Sequence, residues 1–126
     1  MKYILLHYVG EAGWPQLTKA EQQDWLEASK AYAEVMSKAG VLTSTVRLEP
    51  TSAERTVRVA NGMTRVLDGP YANSKEQLAG FHIIDVADFD AALVWGARSP
   101  TALYGVVEVR PLMDKSLDDL LRELAG

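Results

Sequence analysis

The first patterned stretch of the chain, Lys2–Val9, is a nearly unbroken apolar run closed by Gly10 and by Gly13-Trp14-Pro15, the pattern of a strand buried on both faces. His7 is its one strongly polar interior member. Thr18-Lys19-Ala20-Glu21 then matches a capping box, in which a hydroxyl and a carboxylate each satisfy an orphan backbone N–H. The helix it opens carries Trp25, Ala28, Tyr32, Val35, Met36 and Ala39 on one side, charged residues on the other, and Gly40 as its left-handed stop. Val41–Leu48, rich in β-branched residues, predicts a second strand. Thr56–Ala60 and Met63–Leu67 flank Asn61-Gly62, two residues that tolerate the positive φ of a type I′ hairpin turn. Gly80–Val86 reads as a further strand. Asp88 caps a helix that turns Phe89, Ala92, Leu93 and Trp95–Gly96 toward the sheet and ends at Ser99-Pro100. In the last strand, Val106–Pro111, Val107 and Val109 face one way and Val106, Glu108 and Arg110 the other. A short helix over about residues 115–125 places Leu117, Leu120, Leu121 and Leu124 on one stripe.

Strand, helix, strand, hairpin, strand, helix, strand is the ferredoxin-like α+β plan with an inserted hairpin and a C-terminal helix, all within one domain of residues 1–126. Both long helices then cover one face of an antiparallel sheet. The other face has no helix, so it must meet a second copy of the chain or stay open as an apolar surface. Composition narrows the function classes. A formal charge of −4 without clustered Lys or Arg argues against a nucleic-acid partner. The absence of cysteine excludes disulfides and thiolate chemistry. The early apolar run is too short to span a membrane and lacks a cleavage site behind it, so a cytoplasmic location with no membrane partner is expected.

The densest local chemistry lies in Asp68–Leu78, where turn residues, an aromatic ring and charges of both signs separate two apolar runs. The stretch reads as a rigid corner, with the Asp68 carboxylate capping N–H groups a few residues on, or as a rim displaying Asp68, Tyr71, Lys75 and Glu76. Its Asp-Gly-Pro-Tyr resembles the Asp-Gly-Pro-Phe signature of the DGPF group of YCII-related proteins. Ser74–Leu78, Met1–Leu6, Ala79 through Val86, and Gly105–Pro111 extend the resemblance over nearly the whole chain. It implies a homodimer packed sheet to sheet as a dimeric α+β barrel, with a cleft near the interface and a sigma-factor-linked partner. It also implies a dyad of a histidine in the first helix and an aspartate before a proline after the second. Here Thr18–Ala39 holds no histidine, and Ser99 precedes Pro100.

The remaining candidates are His7, His82, Glu108 and Arg110. The strands of the two histidines are antiparallel neighbours in a ferredoxin-like order, so the rings meet if register allows; a slip of one residue parts them. Joined by Glu108 they would make a nitrogen–oxygen metal set, although a histidine pair serves equally as a structural hydrogen bond, and no metal or cofactor is expected. Glu108 and Arg110 form a surface ion pair or, if covered, a carboxylate anchor with its counter-ion. No serine sits in a nucleophile elbow and no glycine-rich loop cradles phosphate. Two functions follow. One is a dimeric small-molecule-binding or accessory protein taking a small anionic ligand. The other is a lyase- or isomerase-like enzyme acting in the dimer cleft on a small anionic aromatic or lactone, with His7 or His82 moving the proton and Arg110 holding the carboxylate.

Overall fold

A computed structural model describes residues 1–72 and 74–126; Asn73, inside the signature stretch, lies outside the described residues. Strand β1 (Lys2–Val9) leads through a short 3-10 turn at Glu11–Gln16 into helix α1 (Lys19–Lys38), followed by β2 (Leu42–Arg47). The hairpin strands β3 (Arg55–Ala60) and β4 (Met63–Asp68) come next, then β5 (Gln77–Asp85), α2 (Phe89–Ala97), the single-turn α3 (Thr101–Tyr104), β6 (Val106–Pro111) and α4 (Leu117–Ala125). The main sheet is antiparallel in the order β2-β5-β1-β6, and the hairpin stands apart as its own two-stranded sheet. That is the ferredoxin-like arrangement. Among the described residues no helix is long and apolar enough to cross a membrane.

Local sequence accounts for most boundaries. The Thr18–Glu21 capping box forms in both directions: the Glu21 N–H donates to Thr18 Oγ1 at 3.1 Å, and the Thr18 N–H donates to Glu21 Oε1 at 2.9 Å. Asp88 caps α2 through the Ala91 N–H. Asn61 and Gly62 both take positive φ at the hairpin turn, as a type I′ turn demands. Helix α2 ends where Ser99-Pro100 was expected to end it, but Pro100 then opens α3, because its fixed φ suits the first residues of a new turn.

Alternation along β1 builds the core. Tyr3, Leu5 and His7 are buried toward the helices, while Ile4, Leu6 and Tyr8 face the bare side half-buried. Tyr3 and Leu5 join Ile84 of β5, Met36 and Tyr32 of α1 and Ala92 of α2 in one cluster. Each fully buried apolar side chain of this kind contributes about 1.5–3 kcal/mol relative to exposure. The α1 stripe is narrower than its spacing implied: Tyr32 and Met36 are buried and Trp25 is half-buried, but Ala28, Val35 and Ala39 are exposed. Phe89 and Leu93 of α2 are likewise partly exposed.

In the signature stretch the chain turns at Gly69, whose φ of +94° lies in the region that L side chains avoid. The Asp68 carboxylate does not cap the following turn among the described residues; it sits 3.5 Å from Arg55 Nε across the hairpin. The Gly69 N–H donates instead to the Glu54 carbonyl at 2.7 Å, closing the hairpin base.

Close approach fixes a second glycine. A Cβ on Gly80, where β5 passes β2, would lie 2.4 Å from the Val46 carbonyl oxygen. Gly80→Ala is therefore expected to destabilise the protein by roughly 1–3 kcal/mol, through a forced shift of backbone against backbone. Urea unfolding of the variant beside the parent protein measures it.

Candidate functional site

Register decides the site. His7 lies opposite Gly80 on β5, and His82 lies opposite Leu5 on β1, so both imidazoles project from the sheet toward the helices, two residues apart in register along neighbouring strands. His7 Nε2 stands 2.6 Å from His82 Nδ1, and the rings meet edge to face with centroids 4.7 Å apart. The chain continues inward. Ser99 Oγ is 3.4 Å from His7 Nδ1, and the backbone N–H of Thr101 donates to that same oxygen at 3.2 Å. His7, Ser99 and Thr101 are all buried. On the other side, the Tyr32 ring of α1 lies edge-on to His82 at 5.5 Å, while its hydroxyl donates to the Trp95 carbonyl at 2.6 Å. Arg98 stacks over the Trp95 ring at 4.3 Å, close enough for its charge to act on the Tyr32 hydroxyl.

This arrangement follows from local folding. Ser99 reaches His7 because α2 stops at Ala97 and α3 restarts at Pro100, which swings the intervening residues down onto β1. An apolar layer would be the cheaper filling at this depth, since a buried polar atom costs free energy unless it is bonded. Every imidazole nitrogen of His7 has a partner, and no buried side-chain nitrogen or oxygen among the described residues is left unbonded. Only His82 Nε2 lacks a protein partner among the described residues, and it retains access to solvent. The hydrogen bonds thus run from the Thr101 N–H through Ser99 and His7 to one half-buried nitrogen.

Burial controls the protonation of these groups. Desolvation, with a smaller contribution from the neighbouring His82, lowers the His7 pKa to about 4. Burial also lowers His82, and it raises the Tyr32 phenol well above its ordinary range. Both histidines are therefore neutral near pH 7, which suits them to give or accept a hydrogen bond but not to hold an anion by charge.

The eight residues singled out from sequence separate into three places. His7 and His82 come together. Glu108 and Arg110 alternate with Val107 and Val109 and point away from the helices, to the bare face, so they do not share a cleft with the histidines. The His7, His82 and Glu108 metal set and the pairing of a histidine base with an Arg110 anchor are both corrected by this alternation. On the bare face Glu108 has a different neighbour, Tyr8, whose pKa it raises as an acceptor for the phenol proton. Asp68, Tyr71 and Lys75 stay exposed around the hairpin base, Tyr71 under the Arg58 guanidinium at 5.5 Å; Glu76 is half-buried, its carboxylate beside Gly105. Ser99, Thr101, Tyr32 and Arg98 belong to the site; the sequence marks Ser99 as a helix end and Tyr32 as core, and does not single out Thr101 or Arg98. The available signal was position: Ser99 occupies the place before a proline where the resemblance put an acidic partner for histidine.

The buried His7 gives a testable acid sensitivity. An unfolded chain titrates this group near 6.5, whereas the folded protein holds it near 4. Between those values the unfolded state binds more protons, so stability present above pH 6.5 is lost as the pH falls toward 4. Between pH 7 and pH 5 the loss is roughly 2 kcal/mol. Urea midpoints measured at the two pH values should show it, and His7→Gln should flatten the difference while lowering stability at pH 7.

Three comparisons bear on kinship. The YCII-related domain matches residues 1–116. An uncharacterised protein of Rhizobium meliloti (strain 1021) is 39% identical over 114 residues, which cover 89% of this chain and 92% of that one. Among solved structures, the 5-chloro-2-hydroxyhydroquinone dehydrochlorinase of Burkholderia phenoliruptrix AC1100, in complex with 2,5-dihydroxybenzoquinone, superposes with a TM-score of 0.52 over 91% of this chain and 96% of that one, at 13% identity. Fold, sheet order and sequence agree on one kinship: the chain belongs to the YCII-related family.

Proposed function

We propose that the protein is a homodimeric small-molecule-binding protein whose ligand meets His82 at the open end of the Ser99–His7–His82 chain. One observation carries this reading. His82 Nε2 is the only ring nitrogen of the pair without a protein partner among the described residues, and the rest of the chain exists to hold that ring in place. A neutral imidazole at that point recognises a hydroxyl or carbonyl oxygen. Arg98, at the rim beside Trp95 and Tyr32, supplies the positive charge for an acidic ligand in place of Arg110, which faces the other way. The half-buried Trp95 ring beside Arg98 supports a flat, oxygenated ring as the ligand class. The dimer is supported by the bare side of the sheet, where Ile4, Leu6, Val46, Phe81 and Ile83 form an apolar patch that no helix among the described residues covers.

A second reading, a lyase- or isomerase-like enzyme, is favoured by the 2.6 Å contact between the two imidazoles. A proton taken up at His82 Nε2 is shared with His7 across that contact, so a substrate could lose a proton to the pair and regain one from it. The dehydrochlorinase with the similar fold acts, by its name, on a chlorinated hydroxyhydroquinone, a flat oxygenated ring of the class argued above.

The two readings part in one experiment. Titration with 2,5-dihydroxybenzoquinone should give saturable binding that weakens about tenfold or more in His82→Ala and in Arg98→Ala. Incubation with 5-chloro-2-hydroxyhydroquinone should leave chloride bound under the binding reading and release it under the enzymatic one. Saturable binding indifferent to both substitutions, or no binding, would remove His82 as the contact. Sedimentation at micromolar concentration should find a dimer.

A further inference from the structure

Two elements of this chain stand apart from its domain. The β3–β4 hairpin makes no substantial contact with the main sheet, and Val57, Val59, Met63, Val66 and Leu67 on it are all more than half exposed. Helix α4 follows the last residue matched by the family domain, and Leu117, Leu121 and Leu124 of its stripe are 79%, 62% and 86% exposed. Nine residues make a marginal helix in water unless one side is packed, yet α4 is fully equipped as a helix. It has a complete Ser116–Asp119 capping box, an Arg122–Asp119 ion pair and a Lys115–Glu123 ion pair at 2.6 Å. Such an element lacks only a surface to lie on.

Charge says which surface. On α4, Asp118 and Glu123 flank the leucine stripe on its two sides, and the helix carries Asp118, Asp119 and Glu123 against Arg122. The hairpin has the opposite sign: Arg55, Arg58 and Arg65 against Asp68. Arg55 is paired with Asp68, but Arg58 and Arg65 stand directly opposite each other on one face, and neither forms an ion pair among the described residues. Like charges so placed are destabilising on their own. Met63 and Leu67 lie on that same face, on either side of the two arginines.

Topology says whose hairpin it is. Strand β6 ends at Pro111 opposite Tyr3, at one corner of the sheet, while β2 ends at Arg47 opposite Gly80, at the corner diagonally across. Three strand spacings and four to five residues of strand separate those corners by about 20 Å. Leu112 is tied to β1 by its N–H donating to the Lys2 carbonyl at 2.9 Å, and the five residue steps from there to Leu117 reach at most about 18 Å. The stripe does not lie along its own hairpin: among the described residues α4 makes no substantial contact with β3 or β4, and Leu117, Leu121 and Leu124 are exposed, as are Met63 and Leu67. In a sheet-to-sheet dimer with orthogonally crossing strands, a two-fold axis along the sheet's other diagonal exchanges these two corners and brings α4 of each copy over the hairpin of its partner.

We propose that α4 is a clasp between subunits: its leucine stripe seats on the Met63, Leu67, Arg58 and Arg65 face of the hairpin of a second copy, with Asp118, and Glu123 once exchanged from Lys115, answering the two arginines. Two-fold symmetry makes the contact reciprocal, two clasps per dimer. The inference rests on the homodimer proposed above and adds an interface that the sheet face alone does not require.

Because the chain contains no cysteine, single-cysteine variants report the contact directly. Leu121→Cys and Leu67→Cys are purified separately, mixed, allowed to exchange subunits and treated with a short bismaleimide cross-linker. Covalent dimers should form in the mixture and not with either variant alone. In parallel, full-length Leu121→Asp/Leu124→Asp, whose altered residues touch no part of the core, should dimerise about tenfold or more weakly by sedimentation. A parent protein that is dimeric, shows no cross-link in the mixture and dimerises equally well with the two aspartates would overturn the clasp and leave the sheet interface standing. A parent protein that is monomeric at micromolar concentration would overturn both.

Discussion

The pairing of β1 with β5 is the constraint on which the rest of the molecule depends, because it is fixed by an alternation that cannot slip. Tyr3 and Leu5 lie under the helices, and with them the third member of that face, His7. Moving the register by one residue would expel two fully buried core side chains, and it would also send His82 to the other side of the sheet. The apolar core thus enforces a polar contact at its margin. The two imidazoles meet at 2.6 Å because Leu5 and Ile84 need to be buried together with Met36.

The margin is tolerable because it is closed with hydrogen bonds. A neutral imidazole has one donor and one acceptor, and His7 finds both within its own sheet face and the connection from α2 to α3. Neutrality is the consequence of burial: with little water in reach and His82 beside it, the ring resists a second proton down to about pH 4. His82, one position nearer solvent, inherits a fixed orientation and keeps one nitrogen for something else. Rigid support behind a single available atom is how binding sites achieve selectivity without large movement.

The two sides of the sheet are physically distinct. The covered side holds the core and the histidines; the bare side holds an apolar patch with Glu108, Arg110 and Tyr8 beside it. A cation and a carboxylate next to an uncovered apolar surface would give the proposed sheet-to-sheet contact polar fixtures that set its orientation. The hairpin and α4 lie beyond the sheet's two edge strands, each with exposed apolar residues and opposite in charge.

The elements of the fold were legible in the sequence because each carried its own local chemistry: the capping box at Thr18, the Asn61-Gly62 turn, the Asp88 cap and the two-residue alternation of Val106–Pro111. The strand order was legible too, since short connections and helices on one side leave few ways to arrange four such strands. Side-chain companionship was not. His7 and His82 are 75 residues apart, and only the observed register makes them partners; Ser99 joins them through a helix break whose angle no local signal specifies. Glu108 and Arg110, attractive as neighbours on one strand, were carried to the opposite face by the same alternation. Local backbone preference wrote the elements and their sequence in space, whereas the choice of which polar atoms face one another depended on packing between strands distant along the chain, a quantity that exists only once the sheet has closed.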